Sequence, residues 1–281
     1  MGYKIGFIGG GNMASALIQG ILASKISNPE DICVSDKCAE KLEAFKALGL
    51  NTTQDNMQAV AASDYVFLAV KPQHLEEALE ELELEDIDTV CISIVAGWTT
   101  RGLERFLPET AKIVRVMPNT PALIGMGMLA ISGDYNISED ELKDVRKILD
   151  TAGKTLIIDH ELMDAVTAVS GSGPAYVYMF IDAMADAGVR LGLTKDTALE
   201  LAVQTVIGSA KMIEQTKQAP SVLKDKVCSP AGTTIEAVYS LQENNFAFTV
   251  MQAVEKCAAK SKEISETYDI DTNNGFSEIE E

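Results

Sequence analysis

Several residue types that enzymes rely on are scarce in this sequence. It has two histidines, and we expect His74 in an exposed loop and His160 in a structural position at a domain junction. Neither metal-ligand spacing nor a Ser/His/Asp arrangement occurs, which argues against a metal centre and a triad hydrolase. Five cysteines, at positions 33, 38, 91, 228 and 257, are odd in number and lack CxxC spacing, so reduced thiols are expected.

Long apolar runs and positive charge are also in short supply. No apolar run approaches the roughly 20 residues that span a bilayer, and a strand is expected almost at residue 1, which leaves no room for a signal peptide. Lys and Arg number 23 against 42 Asp and Glu, a net charge of −19. We therefore expect a cytoplasmic protein that binds neither nucleic acid nor membrane.

Acidic residues are concentrated in a few short stretches. They lie at 76–77, 80–81, 83 and 85–86, and in the tail at Glu278, Glu280 and Glu281. We interpret these stretches as solvated surface, and we expect the tail to be frayed from about residue 269.

What the sequence does contain is a glycine turn between an apolar strand, residues 4–8, and an amphipathic helix. Residues 9–14 match the pattern G-x-G-x-x-A in that context. Gly9 permits the turn, Gly11 lets the backbone approach a pyrophosphate, and Ala14 lets the helix pack on the strand. The sequence therefore predicts a dinucleotide-binding site.

The end of the second predicted strand, residues 31–35, bears on which cofactor is bound. Asp36 follows it, where an acidic residue meets the adenosine ribose; a carboxylate there bonds a 2′-hydroxyl and repels a 2′-phosphate, which favours NAD. Ser35, Lys37 and Lys41 offer donors and positive charge that suit NADP. The two arguments conflict, so NADH and NADPH both stay open.

Strands and helices alternate as far as residue 160. Further strands are predicted at 64–70, 88–94, 112–117, 126–131 and 154–158, and helices at 38–48, 99–106 and 139–150. The alternation predicts a doubly wound, mostly parallel sheet whose ligands lie at the carboxyl ends of the strands. In the helix at 38–48, Leu42, Phe45 and Leu48 are expected to face inward.

Beyond residue 160 the apolar spacing is helical, in segments 161–169, 174–191, 195–217 and 246–267. We predict an α/β fold with a Rossmann-type dinucleotide-binding domain, residues 1–160, followed by an all-α domain, residues 161–281. Two chains that share such an apolar helical block bury more surface than one chain alone, so we expect a dimer.

Two small-residue turns in the helical part are suited to substrate binding. Residues 229–236 read SPAGTTIE, and Thr233 with Glu236 is interpreted as a capping box that begins a helix, whose N-terminus favours a carboxylate. Residues 168–176 offer the hydroxyls of Ser170 and Ser172. The alternatives are an ordinary capped turn and a simple helix connection. Such a site suits imine reduction, because a protonated C=N is already electrophilic and mainly requires positioning.

Four motifs in this order resemble those of the Δ1-pyrroline-5-carboxylate reductase family. They are AVKP at 69–72, MPNTP at 117–121, DAVTAVSGSGPAY at 164–176 and LKDKVCSPAGTT at 223–234. The likeness runs from the glycine turn to about residue 266. The resemblance implies NAD(P)H-dependent reduction of 1-pyrroline-5-carboxylate to L-proline, the final step of proline biosynthesis, by hydride transfer to the imine carbon.

The glycine turn, the second strand and the resemblance together assign the site residues. The expected cofactor residues are Gly9, Gly11, Asn12, Met13, Ala14, Ser35, Asp36, Lys37, Asn56, Ala69, Val70, Lys71, Pro72 and Ala96. The expected substrate residues are Asn119, Ser170, Ser172, Gly232, Thr233 and Thr234, with the amides of the last three on the carboxylate. The Thr234 hydroxyl is the catalytic candidate, placed near the imine nitrogen to orient substrate or relay a proton. The family works as homodimers, often five in a ring.

The sequence departs from the family at Ala231, where a second glycine is more usual, and an alanine fits there only with a negative φ. Two other functions are compatible with parts of this pattern. β-Hydroxyacid dehydrogenases share the architecture, but they place a catalytic lysine on the helix after the glycine-rich interdomain turn, and residues 174–180 contain none. A redox sensor that only binds cofactor stays open, although it has no need of a carboxylate-binding turn.

Overall fold

The computed structural model describes residues 3–82 and 88–269, which form two compact units. Unit 1 comprises the described residues of Met1–Gly171 and of Cys257–Glu281, and unit 2 is Ser172–Lys256. The expected surface residues 83, 85 and 86 and the tail beyond 269 lie outside the described residues. In the part of the chain that is described, every helix is too short or too polar to cross a bilayer.

Unit 1 is built on an eight-stranded sheet. Its strands are β1 (Ile5–Ile8), β2 (Ile32–Ser35), β3 (Asn51–Thr53), β4 (Tyr65–Leu68), β5 (Val90–Ser93), β6 (Lys112–Met117), β7 (Gly127–Ser132) and β8 (Gly153–Ile158). The order is β3-β2-β1-β4-β5-β6-β7-β8, and every neighbouring pair is parallel except β6 with β7. This confirms the predicted doubly wound sheet. The sequence did not predict β3, which consists of three polar residues without apolar alternation.

The helices of unit 1 cover both faces of the sheet. They are α1 (Asn12–Ser24), α2 (Ala39–Ala47), α3 (Asn56–Ala61), α4 (Leu75–Glu80), α5 (Thr100–Glu104), α6 (Glu139–Leu149) and α7 (Met163–Val166). Ile5 and Phe7 of β1 belong to one buried apolar cluster and Ile8 to a second. Because side chains alternate across a strand, the two clusters lie on opposite faces. The ring of Phe7 stacks on that of Phe67, with centroids 4.9 Å apart.

One expected core residue of unit 1 is exposed. Leu42 and Phe45 of α2 are buried as predicted, but Leu48 is 50% exposed, so its inward assignment is wrong. The helix ends at Ala47, and Leu48 is its C-terminal cap. The helical period therefore no longer determines where that side chain points.

Unit 2 is helical throughout, as the spacing predicted. Its helices are α8 (Gly173–Arg190), α9 (Lys195–Thr216), α10 (Pro220–Val227), α11 (Thr233–Glu243) and the first part of α12 (Phe246–Asp269). Of these, α10 was not among the predicted helical segments. Gly188 lets α8 and α9 approach closely, since a Cβ there would lie 2.8 Å from Cβ of Ala198. Lys195 bridges Asp182 and Asp186 at 3.0 and 2.7 Å.

Candidate active site

The glycine turn after β1 has the geometry of a phosphate-binding turn. Gly9 has φ +101°, and a Cβ there would lie 2.8 Å from the carbonyl oxygen of Ala69. A Cβ on Gly11 would meet a heavy atom only at 3.9 Å, so the backbone there is open to a ligand. Gly11 caps α1 without a side-chain hydrogen bond, and the first amides of a helix lack intrahelical partners. The turn therefore offers unpaired N–H groups where an anion can approach.

An open cavity of about 420 Å³ lies beside this turn, at the carboxyl ends of β1, β2 and β4. It is lined by Gly9, Gly11, Ser35, Asp36, Lys37, Lys41, Asn56, Ala69, Val70, Lys71, His74, Glu77 and Ala78. The lining thus brings together most of the residues expected to hold a cofactor. Glycine backbone open to a phosphate at one side and a carboxylate after β2 fit a dinucleotide.

The other expected cofactor residues lie outside this lining. Asn12 and Met13 form the first turn of α1, and Ala14 is fully buried, as close packing of α1 on the sheet requires. The carbonyl of Pro72 accepts a hydrogen bond from the Trp98 indole at 3.1 Å. Ala96 is exposed in the turn after β5.

Asp36 is held firmly at the edge of the cavity. Its carboxylate accepts hydrogen bonds from the Gly10 amide at 2.9 Å and the Cys38 amide at 2.8 Å, and from Nζ of Lys41 at 3.0 Å. Burial opposes ionisation, but these donors outweigh it and hold the pKa of Asp36 below its ordinary value. The carboxylate is therefore ionised and fixed against the glycine turn.

The side-chain donors that were expected to suit NADP already have partners within the protein. The Ser35 hydroxyl donates to Oδ1 of Asn56 at 2.6 Å. Nζ of Lys37 donates to Glu77 at 2.8 Å and to Glu81 at 2.9 Å. Sequence reasoning interpreted these two glutamates as solvated surface. They lie 40 and 44 residues from Lys37, so no local pattern linked them to it.

Asn119 and Ser170, two expected substrate residues of unit 1, lie together. Nδ2 of Asn119 donates to the Ser170 carbonyl at 3.1 Å and lies 3.4 Å from its Oγ. Oδ1 of Asn119 accepts from the Met128 amide at 2.9 Å. Ser170 lies in a π-helical turn, Thr167–Gly171, a form that is frequent at functional sites. The asparagine thus fixes the position of the serine.

The other expected substrate residues begin two helices of unit 2. Ser172 precedes α8, whose first turn contains Pro174. Gly232 is the N-cap of α11 and no side-chain cap is formed, so the predicted capping box of Thr233 is wrong: that residue is already helical. The Gly232 amide, one of the three expected to bind the substrate carboxylate, instead donates to the Ser229 carbonyl at 3.1 Å. The amides left without an intrahelical partner are those of Thr233, Thr234 and Ile235, and sequence reasoning missed the last.

Ala231 contradicts the expectation of a negative φ. Its φ is +55°, in the left-handed region, which costs a residue with a Cβ about 1–2 kcal/mol. The turn is tight, since a Cβ on Gly232 would lie 2.2 Å from Oγ of Ser229. A side chain at 232 would therefore require the Ser229 hydroxyl to move, and the chain holds the preceding alanine in a strained conformation.

Two family models match the chain. Residues 4–97 match "NADP oxidoreductase coenzyme F420-dependent", and residues 160–264 match "Pyrroline-5-carboxylate reductase dimerisation". The pyrroline-5-carboxylate reductase of Escherichia coli K12 is 41% identical over 266 residues, 94% of this chain and 99% of the relative. That of Methanosarcina acetivorans is 42% identical over 263 residues, covering 93% and 97%.

Solved structures agree with these matches. A pyrroline-5-carboxylate reductase from Coxiella burnetii superimposes with a TM-score of 0.87 at 36% identity, covering 94% of this chain and 99% of the other. The Plasmodium falciparum enzyme with NADP bound gives 0.84 at 36% identity, covering 94% and 98%. An Aspergillus terreus reductive aminase, 17% identical with a TM-score of 0.56, shares the fold alone. From these relatives and from its matched domains, the chain belongs to the pyrroline-5-carboxylate reductase family.

Proposed function

We propose that this chain reduces 1-pyrroline-5-carboxylate to L-proline with NADH or NADPH, the final step of proline biosynthesis. The observation that carries the proposal is the cavity beside the glycine turn in a chain of this family. When bound, the cofactor supplies the hydride that the imine carbon receives. The protein holds the pyrophosphate against open backbone at Gly11 and the ribose beside Asp36.

The substrate carboxylate is assigned to the amides at the start of α11. These amides belong to Thr233 and Thr234, joined by Ile235, and the N-terminal end of the helix dipole adds to their attraction for an anion. Asn119 with Ser170, and Ser172, supply the further polar groups expected around the substrate. These residues mainly position the substrate, since a protonated imine is already electrophilic.

The hydroxyl of Thr234 is assigned to the imine nitrogen, where it orients substrate or relays a proton. We expect Thr234→Ala to lower kcat/KM by about one to two orders of magnitude, in line with one positioned hydrogen bond, and Thr234→Ser to restore most of it. Thr205→Ala is the matched control, because that hydroxyl bonds the Leu201 carbonyl within α9 at 2.7 Å. If kcat and KM were both unchanged in Thr234→Ala, the assigned role would be wrong.

Turnover separates this function from a cofactor-binding redox sensor. Purified protein is mixed with NADH or NADPH, and the loss of reduced-nicotinamide absorbance is followed with and without 1-pyrroline-5-carboxylate. Substrate-dependent oxidation that yields proline supports the reductase. A folded protein that binds cofactor and gives no such oxidation would support the sensor.

We also propose that residues 1–160 bind the dinucleotide and that residues 161–281 bind substrate and form a homodimer, five of which assemble into a decamer. The "dimerisation" family model at 160–264 and the exposed apolar side chains of unit 2 support the dimer. Light scattering after size-exclusion chromatography tests it, and a stable monomer would contradict it. None of the five cysteines, all of them in the described part of the chain, forms a disulfide bond, which supports a cytoplasmic location; fractionation of cells that make the protein tests it.

A further inference from the structure

We propose that the cofactor cavity selects NADH over NADPH, through the carboxylate of Asp36 and through a pair of glutamates, Glu77 and Glu81, that we call the acidic clamp. The two glutamates pair with Lys37 and offset its positive charge near the 2′ position of the adenosine ribose. This inference rests on the proposed function, since it concerns the cofactor of the same reaction.

Asp36 presents a fixed negative charge where the two cofactors differ. Its side chain is 10% exposed, and donors from Gly10, Cys38 and Lys41 hold both of its oxygens in place. A ribose 2′-hydroxyl can donate to such a carboxylate. A 2′-phosphate would bring about −1.5 to −2 charge against it, and Asp36 cannot turn away without losing its bonds to the turn.

The two lysines nearest this carboxylate do not supply free positive charge. Lys41 pairs with Asp36 itself at 3.0 Å. Lys37 is held by two carboxylates, at 2.8 and 2.9 Å, so these three groups together carry one net negative charge. One exposed ion pair is worth little, but two carboxylates around one lysine outnumber its charge and weaken its attraction for an incoming phosphate. Glu81 of the acidic clamp is itself held in place, because Nδ2 of Asn56 donates to its Oε2 at 3.1 Å.

Two further candidates for a phosphate partner, Ser35 and Lys71, are already bonded or lie elsewhere. The Ser35 hydroxyl donates to Asn56. Lys71 also lines the cavity, but it follows β4, which lies on the far side of β1 from β2. Two strand spacings, roughly 9.5 Å, therefore separate the two strand ends. A charge at Lys71 serves a pyrophosphate that both cofactors possess, and so it does not discriminate between them.

Steady-state kinetics with both cofactors test the proposal. For the native chain we expect kcat/KM with NADH to exceed that with NADPH by at least about tenfold, which lies between the effect of one charge pair about 4 Å apart in bulk water and that of the same pair near a protein surface. Asp36→Asn keeps an oxygen for the Gly10 amide but removes the charge. It should raise kcat/KM with NADPH about tenfold and lower it with NADH.

The double variant Glu77→Gln/Glu81→Gln tests the clamp separately. Releasing Lys37 should raise kcat/KM with NADPH by about three- to tenfold and so lower the NADH/NADPH ratio. The matched control is Glu43→Gln, which removes the partner of Lys46 on α2, an exposed pair at 2.8 Å. That change should leave the ratio as it is. Added salt should shrink the native ratio, because exposed charges are screened.

Measurements of cofactor binding without substrate test the selectivity independently of turnover. Dissociation constants for NADH and NADPH are measured by nicotinamide fluorescence without substrate, with circular dichroism to show that each variant is folded. Tighter binding of NADH together with no turnover would contradict the proposed function and uphold the selectivity. Equal or better use of NADPH by the native chain would overturn the selectivity. A ratio that does not respond to either variant would overturn the assigned cause.

Discussion

Units 1 and 2 differ in where their large apolar side chains lie. In unit 1, Phe7, Phe67 and Leu17 are fully buried, among many others, in two clusters that sandwich the sheet. In unit 2, which is described in full, the buried residues are three alanines, Ala185, Ala198 and Ala202. Its exposed large apolar residues include Val177, Tyr178, Met179, Phe180, Leu191, Leu201, Met212, Tyr239, Phe248 and Met251.

The difference shows that one chain completes the core of unit 1 but not that of unit 2. Large apolar side chains exposed in such number mark an interaction site, and obligate homodimer interfaces resemble a core cut in half. If the exposed face of unit 2 is buried in the proposed dimer, the stability of unit 2 depends on protein concentration, whereas that of unit 1 rests on its own packing.

The largest effect is expected where a charge enters the exposed face of unit 2. Met179 on α8 is 73% exposed, and Met179→Asp would bury an unpaired carboxylate in each subunit of a dimer, at several kcal/mol apiece. We expect the dimer dissociation constant to rise at least about a thousandfold, as measured by analytical ultracentrifugation. Leu48→Asp is the control, since it places the same charge on an exposed leucine of unit 1. An unchanged dimer dissociation constant in Met179→Asp would contradict burial of this face between two chains.

A cavity in the core of unit 1 should come next. Phe67 is fully buried and stacks on Phe7, so Phe67→Ala should lower the free energy of unfolding by about 3–5 kcal/mol. Urea denaturation followed by circular dichroism measures it. Leu48→Ala should change that free energy by less than about 0.5 kcal/mol, because the side chain is exposed. If the loss of unfolding free energy in Phe67→Ala depended on protein concentration, the stability of unit 1 would also depend on association with another chain.

A smaller, pH-dependent effect is expected at the start of α6. Glu141 accepts from Nζ of Lys112 at 2.8 Å and from the Ser138 amide at 2.8 Å; these bonds, with Lys112 first, lower the pKa of Glu141 to about 2 from 4.5. A carboxylate whose pKa is lower in the folded state stabilises the fold at pH values above its unfolded pKa. This stabilisation is lost on acidification. Glu141→Gln should therefore cost about 1 kcal/mol at neutral pH, and the difference from the native chain should disappear between about pH 4.5 and pH 2. A difference that persists at pH 2, or a similar loss in Glu139→Gln, would count against this cause.

The smallest effect is a gain. Ala231→Gly removes the cost of a positive φ but adds freedom to the unfolded chain. We expect unit 2 to become more stable by about 0.5 kcal/mol, seen as a small rise in its thermal midpoint at fixed protein concentration. Ala237→Gly, inside α11, should lower stability by about 1 kcal/mol. A loss of stability in Ala231→Gly would show that the turn gains more from the alanine than it loses to strain.

Much of unit 1 could be predicted from the sequence because its signals are local. The strand predicted at 112–117 coincides with β6, since an apolar run there ends at Pro118. The turn at Gly9 was predicted from glycine spacing between an apolar strand and an amphipathic helix. The acidic clamp on Lys37 was not found, because it joins residues about 40 positions apart on side chains that any solvated helix could carry.

In unit 2, periodicity predicted helices but not their details. It could not give the φ of Ala231, since a tight turn overrides the preference of the residue. It also could not distinguish Gly232 from Thr233 as the N-cap of α11, because both residue types occur there. Apolar spacing shows which face is hydrophobic, and another chain decides whether that face becomes buried.

The return of α12 to unit 1 has a consequence for synthesis on the ribosome. Tyr268 stacks on Trp98 with ring centroids 4.8 Å apart, and Ser261 donates to Asp164 at 2.7 Å. Asp269 accepts from Thr99, which precedes it by 170 residues. At a translation rate of 5–20 residues per second, roughly 10 to 30 s pass between the two. During that interval the indole of Trp98 has the nearby ring of Phe106 but not that of Tyr268, so its packing is completed only after the last helix has emerged.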